Sequence, residues 1–147
     1  MTIAMPAEEQ PEKRWYPGAL LVALVYPVIG VTFAALDKLA TSGPIRFWRL
    51  AAWLAAAAVF GVHLAFEHLR LRARPLRAAL HVSLAVALGA LLLAVWVNLH
   101  GLWVASTPQS PLAPWALIVF PLVTGLPAFV VAFAAMALLG RLHQRPR

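Results

Sequence analysis

The stretch Leu69 to Arg77, LRLRARPLR, sets four arginines, Arg70, Arg72, Arg74 and Arg77, between two long apolar blocks of a chain that makes little use of charge elsewhere. A basic cluster in that setting reads as a short loop between two transmembrane helices. Its sign also orients the protein, because cytoplasmic loops collect Lys and Arg. Upstream the apolar block runs from about Phe47 to Leu69. Downstream, from Ala78 to Gly140, 63 residues pass without an Asp, Glu, Lys or Arg.

Composition makes lipid the solvent for most of this chain. Apolar residues are 63% of the 147 and charged residues 12%, and the mean hydropathy is +0.82. A soluble domain of this size cannot hide that much apolar surface from water. The net charge of +7 would suggest nucleic acid in a soluble protein. Here the positive residues flank apolar blocks, where anionic lipid headgroups are the nearer partner, and no basic stripe is interleaved with exposed aromatics. With no cysteine, disulfides, thiolate metal sites and thiol redox chemistry are excluded.

Working outward from the arginine loop, four spans emerge. A helix rising 1.5 Å per residue needs about 20 residues to cross about 30 Å of hydrocarbon. Gly18 to Leu36 supplies 19 residues without a charge and is the first span. The polar turn Asp37, Lys38, Ser42, Gly43 and Pro44 separates it from the second, 47–69, whose charge-free centre is 17 residues long, so that Arg49 and Glu67 are expected to reach out to the interface. The run after Ala78 is too long for one crossing. The polar, proline-rich segment Ser106 to Pro114 divides it into a third span, 78–99, and a fourth, 115–139. Residues 1–17 read as a mixed-charge tail and 141–147 as a basic one. A cleaved signal peptide is disfavoured for the first span, because its core exceeds the usual 7 to 15 residues and its leader is acidic as well as basic. The expected fold is therefore an all-α integral membrane protein, a four-helix bundle with short connections.

Counting Lys and Arg on alternate sides gives nine against three, the nine being Lys13, Arg14, the four loop arginines, Arg141, Arg145 and Arg147. The positive-inside rule then predicts both termini in the cytoplasm, in what reads as a bacterial inner membrane. Trp15 and Tyr16 fall at one interface and Trp48, Trp103 and Trp115 at the other, as an aromatic belt requires.

The second span carries Ala51, Ala52, Ala55, Ala56, Ala57, Ala58 and Gly61. Small residues at three- and four-residue spacing let backbones approach closely in lipid, which makes this helix a candidate for the centre of the bundle; the alternative is that alanine simply fills the span. Tyr26, Pro27 and Gly30 in the first span, and Pro121, Thr124, Gly125 and Pro127 in the fourth, mark expected kinks. Kinked helices of this kind can serve as an ion site in a transporter.

Histidines supply the remaining chemistry. His63 and Glu67, four residues apart, share a helical face, with His68 turned about 140° from His63. The hairpin brings His81 to the same membrane level. These three residues are candidates for proton handling, metal ligation, or an axial nitrogen to a haem or chlorophyll-type pigment. The simpler alternative is one intrahelical hydrogen bond near the headgroups with His81 facing lipid phosphate. Di-iron membrane enzymes use several histidine boxes, and five histidines are too few. Asn98 and His100 stand about 28 Å of helix from His81 and cannot share its site.

No nucleophile with a paired base, glycine-rich phosphate loop or buried carboxylate pair is visible, so enzymatic chemistry has little footing. The Cys pair of vitamin K epoxide reductase-like proteins is missing, and so is the first-helix carboxylate of small multidrug transporters. Small size, sparse polar chemistry and alanine-rich faces point to a non-catalytic accessory or scaffold subunit of a larger membrane complex, with electron transfer or light harvesting as a setting. A small oligomeric transporter or channel is the alternative. Arg70, Arg72, Arg74 and Arg77 are expected to contact lipid headgroups.

Overall fold

The computed structural model describes residues 16–39, 45–71, 74–103 and 113–143. Four helices account for nearly all of them: α1 (Tyr16–Leu39), α2 (Ile45–Leu69), α3 (Pro75–Trp103) and α4 (Ala113–His143). Each is long and apolar enough to cross a membrane, and no strand occurs among the described residues. Of the charged tails expected from sequence, 1–17 and 141–147, residues 1–15 and 144–147 lie outside the described set, as do Arg72 and the whole segment between α3 and α4.

The helices extend past the apolar spans read from sequence, because the backbone goes on hydrogen bonding after hydropathy falls. At 1.5 Å per residue the 29-residue α3 and 31-residue α4 are about 44 and 46 Å long, well beyond the roughly 30 Å of hydrocarbon. Proline sits where a helix tolerates it at three starts: Pro75 opens α3, and Pro17 and Pro114 are second in α1 and α4, where no helical donor is lost. The Arg74 carbonyl accepts the first α3 bond from Ala78 N at 3.0 Å. At the end of α2 the Phe66 carbonyl accepts from both Arg70 N (2.9 Å) and Leu71 N (3.4 Å), which closes that helix into the arginine turn.

Helices successive in the chain alternate in direction. Gly18 of α1 faces Phe66 near the end of α2, and Phe33 near the end of α1 meets Trp48 near the start of α2, with ring centroids 6.3 Å apart. Ala23 and Tyr26 lie against Gly89, and Gly30 against Leu93, so α1 and α3 run parallel. Gly125 lies against Ser83 and Ala87, while Ala132 and Met136 pack on Ala78, Ala79 and Val82, so α4 runs back along α3.

The centre of this bundle is α3, and the expectation that α2 would occupy it is corrected. The most extensive seam is α3 on α4, followed by α1 on α3; α2 touches α1 well, but α3 and α4 sparingly. Seven α3 residues are buried: Ala78, Ala79, Val82, Ser83, Ala85, Gly89 and Ala94. Small side chains are what this position requires, since lipid offers no hydrophobic drive between helices and association rests on close van der Waals packing. At Gly89 a Cβ would stand 2.8 Å from Tyr26 Cβ and 3.0 Å from the Ala23 carbonyl oxygen. That carbonyl is also the one Pro27 deprives of its helical donor. The lost hydrogen bond in α1 is thus set against Gly89, an α3 residue without a side chain.

On α2, by contrast, Ala57, Ala58, Gly61 and Ala65 are exposed. A Cβ added at Gly61 would meet nothing within 4 Å. The residues α2 does bury are His63, Leu64 and Glu67.

Candidate functional site

The end of α2 and the start of α3 meet beside the arginine turn. Leu64, Ala78, Ala79, Val82, Ala132 and Met136 form an apolar cluster there, flanked by Phe60, Phe129 and Ala135. Beside this cluster lie two ionisable side chains, His63 at 3% exposure and Glu67 at 1%. Sequence reading expected Glu67 to reach out to the interface, and the structure corrects this. Its carboxylate turns inward because α3 presents a hydrogen-bond donor on that side.

The donor is His81. Its Nδ1 donates to both carboxylate oxygens of Glu67, at 3.3 Å to Oε1 and 3.2 Å to Oε2. On the other side His63 Nε2 stands 3.7 Å from Oε1, close enough for charge attraction when the ring is protonated but too long for a hydrogen bond. The hairpin thus gathers the three residues that sequence spacing put at one depth, as two imidazoles converging on one carboxylate. The intrahelical partner is the weaker of the two, and the bond across the seam the stronger. An isolated carboxylate in such surroundings costs several kcal/mol of lost hydration, which a proton-bearing imidazole offsets.

One polar atom of the cluster is left over. His63 Nδ1 is buried and has no hydrogen-bond partner among the described residues. No group of three His, Cys, Asp or Glu among these residues is arranged to hold a metal ion. For a haem or chlorophyll-type pigment, His63 is a poor axial ligand as placed, since its ring is buried at 3% exposure.

Other polar residues are satisfied locally or stand apart. His68 is half-buried, on a different face of α2 from His63. Asn98 Nδ2 donates to the Ala94 carbonyl at 2.8 Å, and the His100 ring stacks on Trp96 with centroids 6.0 Å apart, both at the far end of α3. Thr124 Oγ1 donates back to the Phe120 carbonyl at 2.7 Å, in the part of α4 that holds Pro121 and Pro127. Among the described residues α1 and α4 share no contact, because α3 lies between them; the fold does not bring their prolines together. Arg70, Arg74 and Arg77 are exposed at the basic end, with Arg141 of α4. Sequence reasoning did not single out Tyr26 for chemistry, yet its hydroxyl is buried without a partner among the described residues. Its position one residue before Pro27, near mid-span, was the available signal.

No family model matches this chain, and neither a curated protein nor a solved structure does. The reading of its function therefore rests on the geometry alone.

Proposed function

We propose that this protein is a non-catalytic accessory or scaffold subunit of a larger membrane assembly, with a bioenergetic complex of electron transfer or light harvesting as one setting. The observation that carries this reading is the outward face of α2. Ala57, Gly61 and Ala65 repeat at four-residue intervals, all exposed, with open space above Gly61. That is the pattern that lets a second transmembrane helix approach backbone to backbone. The bundle uses the same device inside itself at Gly89 and Gly125. On α2 it is left for another chain.

The orientation proposed with it puts the arginine turn and both termini in the cytoplasm of a bacterial inner membrane, nine basic residues against three. Arg70, Arg72, Arg74 and Arg77 then lie at the anionic leaflet, each contributing about 1 kcal/mol near acidic headgroups.

Purification from native membranes in mild detergent tests the reading. Stoichiometric co-migration with other membrane subunits is the expected result. A homo-oligomer that moves a solute across liposomes would overturn it. The chain has no native cysteine, so single replacements report orientation directly. Arg74→Cys should react with an impermeant maleimide only from the cytoplasmic side and Gln109→Cys only from outside, and the opposite pattern would invert the topology.

A further inference from the structure

His81, Glu67 and His63 form a line of proton-bearing atoms across the α2–α3 seam. At one end His81 Nδ1 holds both oxygens of the carboxylate at 3.2 and 3.3 Å. At the other, His63 Nε2 faces Oε1 at 3.7 Å. Beyond that ring, His63 Nδ1 is buried and has no partner among the described residues. Imidazole can accept a proton on one nitrogen and release one from the other, so a ring with a carboxyl group before one nitrogen and an unpaired second nitrogen is suited to pass a proton on. Acid and imidazole chains buried within membrane helices are the usual material of proton relays. The described residues offer no three-donor arrangement for a metal ion, which makes the proton the ligand this geometry fits.

We propose that His81, Glu67 and His63 form a proton-exchange site within the membrane, in which a proton passes between His81 Nδ1, the Glu67 carboxyl and His63 Nε2 and leaves from the buried His63 Nδ1 to a water molecule that enters beside it. Each step breaks one bond to hydrogen as it makes the next, with no change in oxidation state. The N–H bond of protonated His81 is exchanged for an O–H bond at Glu67, leaving both groups neutral. The O–H bond is then exchanged for an N–H bond at His63 Nε2 as that contact shortens by about 1 Å to hydrogen-bond length. The resulting imidazolium releases its Nδ1 proton to water, and the carboxylate is restored. Reversal of the steps takes a proton up.

Other charged and titratable groups bound the site from each helix. On α2 these are His68, on another face, and Arg70 beyond it; on α3, Arg77 stands one turn before His81. On α4, Arg141 follows Met136 by five residues, and Tyr16 begins α1 at the same end. The proton therefore moves beneath a cationic rim.

The test uses the full chain in lipid nanodiscs. Infrared difference spectra between about pH 9 and about pH 2.5 bracket the ordinary carboxyl and imidazole range. The expected spectrum contains a protonated-carboxyl band that is lost in Glu67→Gln and displaced in His63→Ala and His81→Ala, while the bands of Glu8, Glu9, Glu12 and Asp37 stay in place. Coincident wild-type and Glu67→Gln spectra would show a fixed ion pair and overturn the proposal. Circular dichroism checks that each variant is folded. If the variants do not fold, 15N spectra of the wild-type protein decide the matter: His63 nitrogens that exchange protonation over this range support the relay, and nitrogens that stay fixed overturn it. Titration with Co(II) guards against misassignment. The expected result is no stoichiometric visible absorption; a stoichiometric band abolished by His63→Ala would replace the relay with a metal site.

Discussion

α2 and α3 are adjacent in the chain and both rich in alanine, yet they turn their small residues in opposite directions. On α3, Ala78, Ala79, Ala85, Gly89 and Ala94 are buried against α1 and α4. On α2, Ala57, Ala58, Gly61 and Ala65 face away from the bundle. The difference teaches that small residues permit close approach without choosing the partner. What sets the rotation of α2 is its polar pair. At 100° per residue Gly61 and Ala65 each lie about 160° from His63. Once His63 and Glu67 face α3, the small stripe must face outward.

The sharpest way to break this contrast is to remove the polar anchor. His81→Ala leaves the Glu67 carboxylate buried without its hydrogen-bond donor, and the expected loss is about 3 kcal/mol of bundle stability, as for other broken buried pairs. Thermal or denaturant unfolding in detergent measures it. A variant as stable as wild type would mean that the pair does not hold α2 in place. Gly89→Val attacks the opposite side of the comparison. Even the first added carbon falls 2.8 Å from Tyr26 Cβ and 3.0 Å from a backbone oxygen, so α1 and α3 must separate, at a cost of about 2 kcal/mol. The gentler Gly125→Ala places its methyl 3.0 Å from Ala87 Cβ, and about 1 kcal/mol is expected in the same assay.

Gly61→Leu should change the isolated chain least. Its side chain enters open space, and exchanging glycine for a good helix former should raise stability by about 0.5–1 kcal/mol. The same variant should fail to co-purify with partner subunits. Unimpaired assembly would remove the outward stripe of α2 as a docking face.

Much of this architecture was legible in the sequence. The four spans follow from charge-free runs whose length is tied to bilayer thickness, and the hairpin arithmetic that set His81 level with His63 and Glu67 agrees with the 3.2 Å contact between His81 and Glu67. Helix ends were less legible, since apolar spans measure lipid contact whereas backbone hydrogen bonding carries α3 and α4 further. The central helix was misread because alanine content signals capacity for packing without direction. The inward turn of Glu67 was missed for a related reason: an acidic residue at a span's edge can reach either the headgroups or a donor across the seam. Only the positions of α3 and α4 decide between them. The unpaired Nδ1 of His63 has no signature in sequence at all.

The dominance of the α3–α4 seam has a consequence for biogenesis. Because α4 is last in chain order, the alanine and glycine face of α3 stays unmatched until α4 too is in the membrane. A chain ending before Ala113 would keep three helices and leave its largest mating surface bare.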